Sequence, residues 1–387
     1  MWNNQSDTPA KPGRYGLIKR IVVFAVVVVA VCSAVGLFLF QESLNFDALR
    51  RWVKYFNIRD EGTEDLYLFD AHNSNRYGTA GSGLAVASVG GLVYYQDNGT
   101  ERFSLQNQLS LPQLLTAGKM MLAYDAGGTV LLAADTNGER GRLTTEQPIL
   151  DADLASNGSF CFASSLSGYK SVLTVYNSSA TLAYRWLSST TYMPTCAISE
   201  KGTMLAAIGL GASGGAFESS IYFFRTDSEN ILSTASLGNS LIYDLYFVDA
   251  DTVCALGETA AYLVRSDGTL EGEFAYPEPY LKDYDTGGNG FLTLAVNMYR
   301  AGNRNSLVTM DDQGREIATL YLGEEILDLS AAGSYIAVLT ADRLTIYTDS
   351  LEVYAETVDI GAATSVLMRE DGSVLLLGGG KGWLYLP

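Results

Sequence analysis

Three observations predict an all-β chain folded as an eight-bladed β-propeller and carried on one N-terminal transmembrane helix. A short apolar strand recurs eight times, a hairpin and a more charged strand follow it, and one uncharged run of 20 residues precedes the array. Seven blades is the alternative count, because the first repeat has only the weak segment "RYGTA" as its inner strand.

The tail comes first. Residues 1–20 carry Lys11, Arg14, Lys19 and Arg20, and residues 21–40 ("IVVFAVVVVAVCSAVGLFLF") follow without a charge. At about 1.5 Å per residue that run spans roughly 30 Å, the thickness of a bilayer's hydrocarbon core. Basic residues stay on the cytoplasmic side, so the expectation is a short cytoplasmic tail, a signal anchor and a domain outside the cell membrane. A cleaved signal peptide competes with this, but its apolar core runs only about 7–15 residues. A lipoprotein signal fits poorly, because the branched Val31 directly precedes Cys32. Within residues 41–60, Phe46, Leu49, Val53 and Phe56 fall on one helical stripe. That pattern predicts a juxtamembrane amphipathic helix or linker.

Residues 61–387 make the propeller. The apolar strands start at Leu84, Met121, Phe160, Met204, Val253, Phe291, Tyr335 and Val374, with spacings of 37, 39, 44, 49, 38, 44 and 39 residues. A period near 40 with several strands per unit is the signature of propeller blades. Loss of alternation in these strands follows if each lies buried between neighbouring blades. Outer hairpins such as "LVRSDGTLEGEF" carry Asp-Gly or Asn-Gly turns, which tolerate the positive φ of tight connections. The segments just before the apolar strands, such as "ILDADLA", "LIYDLYF" and "EILDLSA", are the expected innermost strands. The chain ends at "GWLYLP", a third strand without a fourth, whereas "DLYLFD" from Asp65 has no blade of its own. Setting that early strand outside the last one completes blade eight and removes an open edge.

This layout resembles a family of bacterial membrane-anchored β-propellers of unknown function, and more distantly the quinoprotein-like and WD-repeat-like propellers. The resemblance rests on the basic tail, the anchor, the acidic array and its Asp-Gly hairpins. It implies a fold and an extracytoplasmic place, and no catalytic residues. Only Trp186 and Trp383 lie in the array, so the tryptophan-docking pattern of quinone-binding propellers is absent. The Gly-His and Trp-Asp dipeptides of WD repeats are missing too.

Charge excludes one class of partner. The whole chain carries −18, and residues 61–387 hold 17 basic and 39 acidic residues, a balance of −22. Such a domain repels phosphate backbones, so nucleic acid is not expected as a partner. Cys161, Cys196 and Cys254 sit in apolar strands, which favours buried free thiols. One bridge between Cys161 and Cys196 on neighbouring repeats is the alternative. His72 is the sole histidine and stands in a loop sequence, a weak basis for nucleophilic catalysis. "DGTLEGE" places Asp267, Thr269 and Glu271 at period two, which is equally the solvent face of a strand, so no dedicated calcium site, metal or cofactor is expected.

Two functional expectations remain. Paired acids at Asp151/Asp153, Asp249/Asp251 and Asp283/Asp285 suit an envelope hydrolase or lyase if two carboxyls converge on the central channel. Their recurrence at comparable points of three repeats favours structural turn acids instead. The preferred expectation is a non-enzymatic binding or scaffolding module for a protein or cell-envelope polymer, with its site on long connections between second and third strands. Residues 209–220, residues 297–306 and "SLSGYK" are the longest of these, and Tyr169, Lys170, Tyr299, Arg300, Asn303 and Arg304 are the candidate partner-binding residues.

Overall fold

The computed structural model describes residues 66–213 and 215–387. The cytoplasmic tail, the transmembrane run and the juxtamembrane segment expected over residues 1–60 lie outside the described residues. No helix among the described residues is long and apolar enough to cross a membrane.

Eight four-stranded antiparallel sheets account for the described strands. We name the strands of each blade a to d from the axis outward. Blades 1 to 7 occupy residues 76–106, 112–144, 149–188, 192–236, 242–275, 280–322 and 328–357. Blade 8 takes strands a to c from residues 365–385, and its strand d is Tyr67–Leu68 from the other end of the array. Tyr67 pairs with Gly382 and Leu68 with Lys381, so the expected closure of the ring is observed. The weak "RYGTA" segment is strand a of blade 1 (Arg76–Ala80), which settles the count at eight.

Burial follows position in the blade. Strand b is buried along its whole length in blades 5, 6, 7 and 8. Strand d alternates exposed and half-buried residues, as in Leu270–Ala275 and Glu316–Leu322. Each blade is a sheet with two apolar faces, and neither face can be buried within one blade. The core is consequently divided into eight hydrophobic clusters, one in each seam between neighbouring blades. The seam between blades 8 and 1 holds Tyr67, Leu84, Val86, Tyr95, Leu375 and Leu377.

The outer hairpin of blade 5 forms as its sequence directs. Asp267 Oδ1 accepts the Thr269 N–H at 2.9 Å, Gly268 adopts φ +90°, and Glu271 pairs with Arg265. The hairpin is a turn with a solvated strand behind it.

One expected loop is sheet. Residues 209–220 continue the b and c strands of blade 4, Met204–Ser213 and Ala216–Arg225, with pairs from Gly209–Ser220 out to Ser213–Ala216. The stretch is rich in Gly, Ala and Ser and lacks apolar alternation, so it resembles a loop in sequence. Its register is set by the buried inner half, and backbone pairing simply propagates outward.

Candidate functional site

The b–c turns and the links between blades emerge on one face of the ring. In blade 6 the connection between Phe291–Asn297 and Asn305–Asp311 is a seven-residue loop over residues 298–304. Two buried asparagines at its base brace it. Asn297 Nδ2 donates to Gly302 O at 2.9 Å and to Asn305 Oδ1 at 2.7 Å, while Asn297 Oδ1 accepts the Tyr299 N–H at 2.8 Å. Asn305 Nδ2 donates to Glu324 O at 2.6 Å.

The loop presents Tyr299, Arg300, Asn303 and Arg304, all exposed. The Arg300 guanidinium lies 5.7 Å from the centre of the Tyr280 ring, and its carbonyl accepts from Lys282 Nζ. The Arg304 guanidinium lies 5.7 Å from the Tyr321 ring, with Nε donating to the Tyr321 hydroxyl at 2.7 Å. Stacking on an aromatic face leaves a guanidinium's donors pointing outward while limiting its rotamers. Neither arginine forms an ion pair with a carboxylate among the described residues. Tyr243 of blade 5 stands beside this group: its pKa is raised, first by burial and then by Glu258, with Arg300 opposing.

Tyr280, Lys282, Tyr321 and Tyr243 were not anticipated from the sequence. They lie at strand ends, where nothing in a single repeat marks them. Tyr169 and Lys170 are not part of the cluster. They begin strand c of blade 3 (Tyr169–Tyr176), after a two-residue turn and three blades away around the ring. Tyr192 and Phe217 of blade 4 are exposed on the same face.

The paired acids have a different location and employment. Asp151 and Asp153 lie on strand a of blade 3 (Ile149–Leu154), and Asp283 and Asp285 on strand a of blade 6 (Tyr280–Asp285), so both pairs do reach the channel-lining strands. Asp249 and Asp251 do not: they sit in the turn after strand a of blade 5, where Asp249 Oδ1 accepts the N–H groups of Asp251 and Thr252. The three pairs are therefore not at comparable points. The true third member is Asp328 with Ser330 on strand a of blade 7 (Asp328–Ala332).

These side chains stitch blade to blade. A strand a pairs on one side only, which leaves N–H groups on its inner edge in need of acceptors. Asp151 accepts from Cys196 N–H at 3.1 Å and Asp153 from Ile198 N–H at 2.8 Å, across the seam to blade 4. Asp283 and Asp285 accept from the N–H groups of Leu329 and Ala331 in blade 7. Asp328 accepts from Val366 N–H at 2.8 Å, and Ser330 Oγ from Met368 N–H at 3.1 Å, in blade 8. In each case acceptors two residues apart meet donors two residues apart. Asp244 continues the belt between blades 5 and 6 by accepting from the Tyr284 hydroxyl at 2.8 Å.

Burial is costly for these carboxylates. It pushes Asp151 up to about 7, helped by the charge of Asp244, and Asp283 up to about 7, helped by Asp328. Asp153 and Asp285 are pushed up to about 6, again mainly by burial. On the opposite face, around the a–b turns, a 410 Å³ cavity opens between Asp153, Ser199, Lys201, Tyr246, Asp249 and Thr286. His72 is remote in role: it is exposed, and its Nδ1 meets the Ser74 N–H at 3.2 Å and the Ser74 hydroxyl at 2.6 Å.

Ring, seams and closure define the class, an eight-bladed β-propeller. The crystal structure of the C-terminal WD40 domain of Sif2 superposes with a TM-score of 0.57 at 11% identity, over 84% of this chain and 98% of that one. The structure of U3-55K aligns with a TM-score of 0.48 at 8% identity, over 70% of this chain and 89% of that one, too remote to add to this. The profile of the DUF5711 family, a family of unknown function, matches residues 55–365, and the chain belongs to that family. No curated protein matches the sequence.

Proposed function

We propose that this chain is a non-catalytic binding or scaffolding module, held outside the cell membrane by its N-terminal apolar run and presenting the b–c face of its propeller to a protein or cell-envelope polymer. The arginine–tyrosine group of blade 6 carries the proposal. Two guanidinium groups on a braced loop stack on tyrosines and face solvent, in a domain whose net charge is −22. Arginine and tyrosine are the residue types that dominate binding energy at interfaces. The uncharged run over residues 21–40 and the basic residues before it support the tether.

Proximity labelling with the intact, anchored chain tests this. A specific envelope component is expected among the labelled material, and the double variant Arg300→Ala/Arg304→Ala should reduce its enrichment at least about tenfold, the loss of about 1.4 kcal/mol of binding. Equal enrichment by the variant would remove blade 6 from the binding surface, and an absence of any enriched component would end the proposal.

The envelope hydrolase or lyase has one observation on its side, the carboxyls of Asp151 and Asp283 near 7. Against it, the oxygens of both pairs accept main-chain N–H groups of the next blade.

A further inference from the structure

Cys161 and Cys196 come from different blades, yet their sulfurs are 3.5 Å apart and both side chains are fully buried. Cys161 lies on strand b of blade 3 (Phe160–Leu166), opposite Asp153 in the sheet. Cys196 lies on strand a of blade 4 (Tyr192–Ile198), opposite Ala207. Both belong to the cluster that fills this seam. The seam's register is fixed at the thiols themselves, because Asp151 holds the Cys196 N–H and Asp153 holds the Ile198 N–H. A disulfide places its sulfurs about 2.05 Å apart, so the pair needs to close by only about 1.5 Å. Cys254 makes a useful contrast: it is buried in blade 5 and its neighbour is the Tyr246 hydroxyl.

We propose that Cys161 and Cys196 are a redox pair that closes to a disulfide across the seam between blades 3 and 4 when the chain folds in the presence of a disulfide donor. The thiolate of one cysteine attacks a sulfur of the donor and displaces the first donor thiolate, leaving a mixed disulfide. The thiolate of the other cysteine then attacks the protein sulfur of that bond and displaces the second donor thiolate. Two protein thiols lose two electrons in all, the donor disulfide gains them, and its two thiolates take up the two protons.

Timing follows from the surroundings. Burial raises the Cys161 thiol, while Cys196 is raised first by its contact with Cys161 and then by burial, so thiolate is scarce once the seam is closed. Exchange therefore belongs to folding, before blades 3 and 4 dock, and the finished bond is shielded from reductant. The bond links positions 35 residues apart and ties strand b of one blade to strand a of the next. The benefit is greatest in an oxidising compartment. Formation of the bond does not depend on the membrane tether, and the experiment separates the two.

The full chain in detergent is unfolded with reductant and refolded in a mixture of reduced and oxidised glutathione. Free thiols are then alkylated in denaturant and peptides are read by mass spectrometry. The expected product is one dominant link, Cys161 to Cys196, with Cys254 alkylated. The linked chain should melt about 5 °C higher than the reduced chain, from the constraint on its unfolded state. Cys254→Ala should keep the link and the gain; Cys196→Ala should lose both, with Cys161→Ala as the parallel variant if the first folds poorly. Full alkylation of both residues, a persistent glutathione adduct on either, links spread without preference over the four cysteines, or a linked chain that melts no higher would each overturn the proposal.

Discussion

Asp151→Asn tests whether the acids of the central belt are structural. The amide is neutral at every pH, and its oxygen can still accept the Cys196 N–H that Asp151 accepts at 3.1 Å. In the folded chain the carboxyl is raised from 3.8 to about 7, first by burial and then by Asp244. A carboxyl raised on folding holds its proton more tightly when folded. Its contribution is therefore fully present below the unfolded value of 3.8 and is lost as pH rises through about 7. The whole difference is worth on the order of 4 kcal/mol, more than half of which disappears between pH 5 and pH 8. Urea unfolding of wild type and variant at the two pH values reads this out. The variant should gain at least about 1 kcal/mol on wild type between pH 5 and pH 8, and the cost of its new amide donors, equal at both pH values, cancels in that difference. Asp151→Ala removes the acceptor altogether and should be about 1–3 kcal/mol less stable than Asp151→Asn at both pH values. If the difference between Asp151→Asn and wild type were the same at pH 5 and pH 8, the burdened carboxylate would not exist in this form.

Closure of the ring makes two further predictions. Tyr67 is fully buried in the seam between blades 8 and 1 and meets the Tyr95 ring edge-on at 6.0 Å, so Tyr67→Ala should lose about 3–5 kcal/mol in urea unfolding, and a loss under about 1 kcal/mol would mean the closing strand contributes little. Gly99 has φ +80° and an added Cβ would stand 1.8 Å from Leu66 O, so Gly99→Ala should lose at least about 2 kcal/mol from backbone strain and displacement of the closing strand; an unchanged midpoint would contradict that seating.

Much of this architecture is legible because propellers repeat. Eight apolar strands near a 40-residue period report the same burial eight times, so a weak copy such as "RYGTA" is carried by its stronger relatives. The lone strand at Tyr67–Leu68 could be placed because the last repeat lacked one. The extension of blade 4 was not legible. Pairing of Gly209 to Ser213 with the facing strand rests on backbone hydrogen bonds, which leave no mark on side-chain pattern.

The acids show the limit more sharply. Asp151, Asp153, Asp283 and Asp285 are visible as pairs, and Asp244 and Asp328 stand in equivalent strands, yet Asp249 and Asp251 look the same in sequence and occupy a turn. A signal did exist: Asp-x-Asp and Asp-x-Ser stand on strand a in blades 3, 6 and 7. Its meaning depends on the neighbouring blade, whose inner edge supplies the N–H groups. The arginine–tyrosine group is similar. Arg300 and Arg304 stand out as cations in an acidic chain, but their supports Tyr280, Lys282 and Tyr321 come from two other strands of the blade.

By itself the sequence determined the period, the buried strands and the outer hairpins, because each follows from local burial and turn chemistry, while the choice of eight blades over seven needed the pairing of Arg76–Ala80. Only the tertiary structure decided which polar residues face one another across a seam. Those contacts join Asp151 to Cys196, Cys161 to Cys196 and Asp328 to Val366, positions 35 to 45 residues apart that only the packing of neighbouring blades brings together.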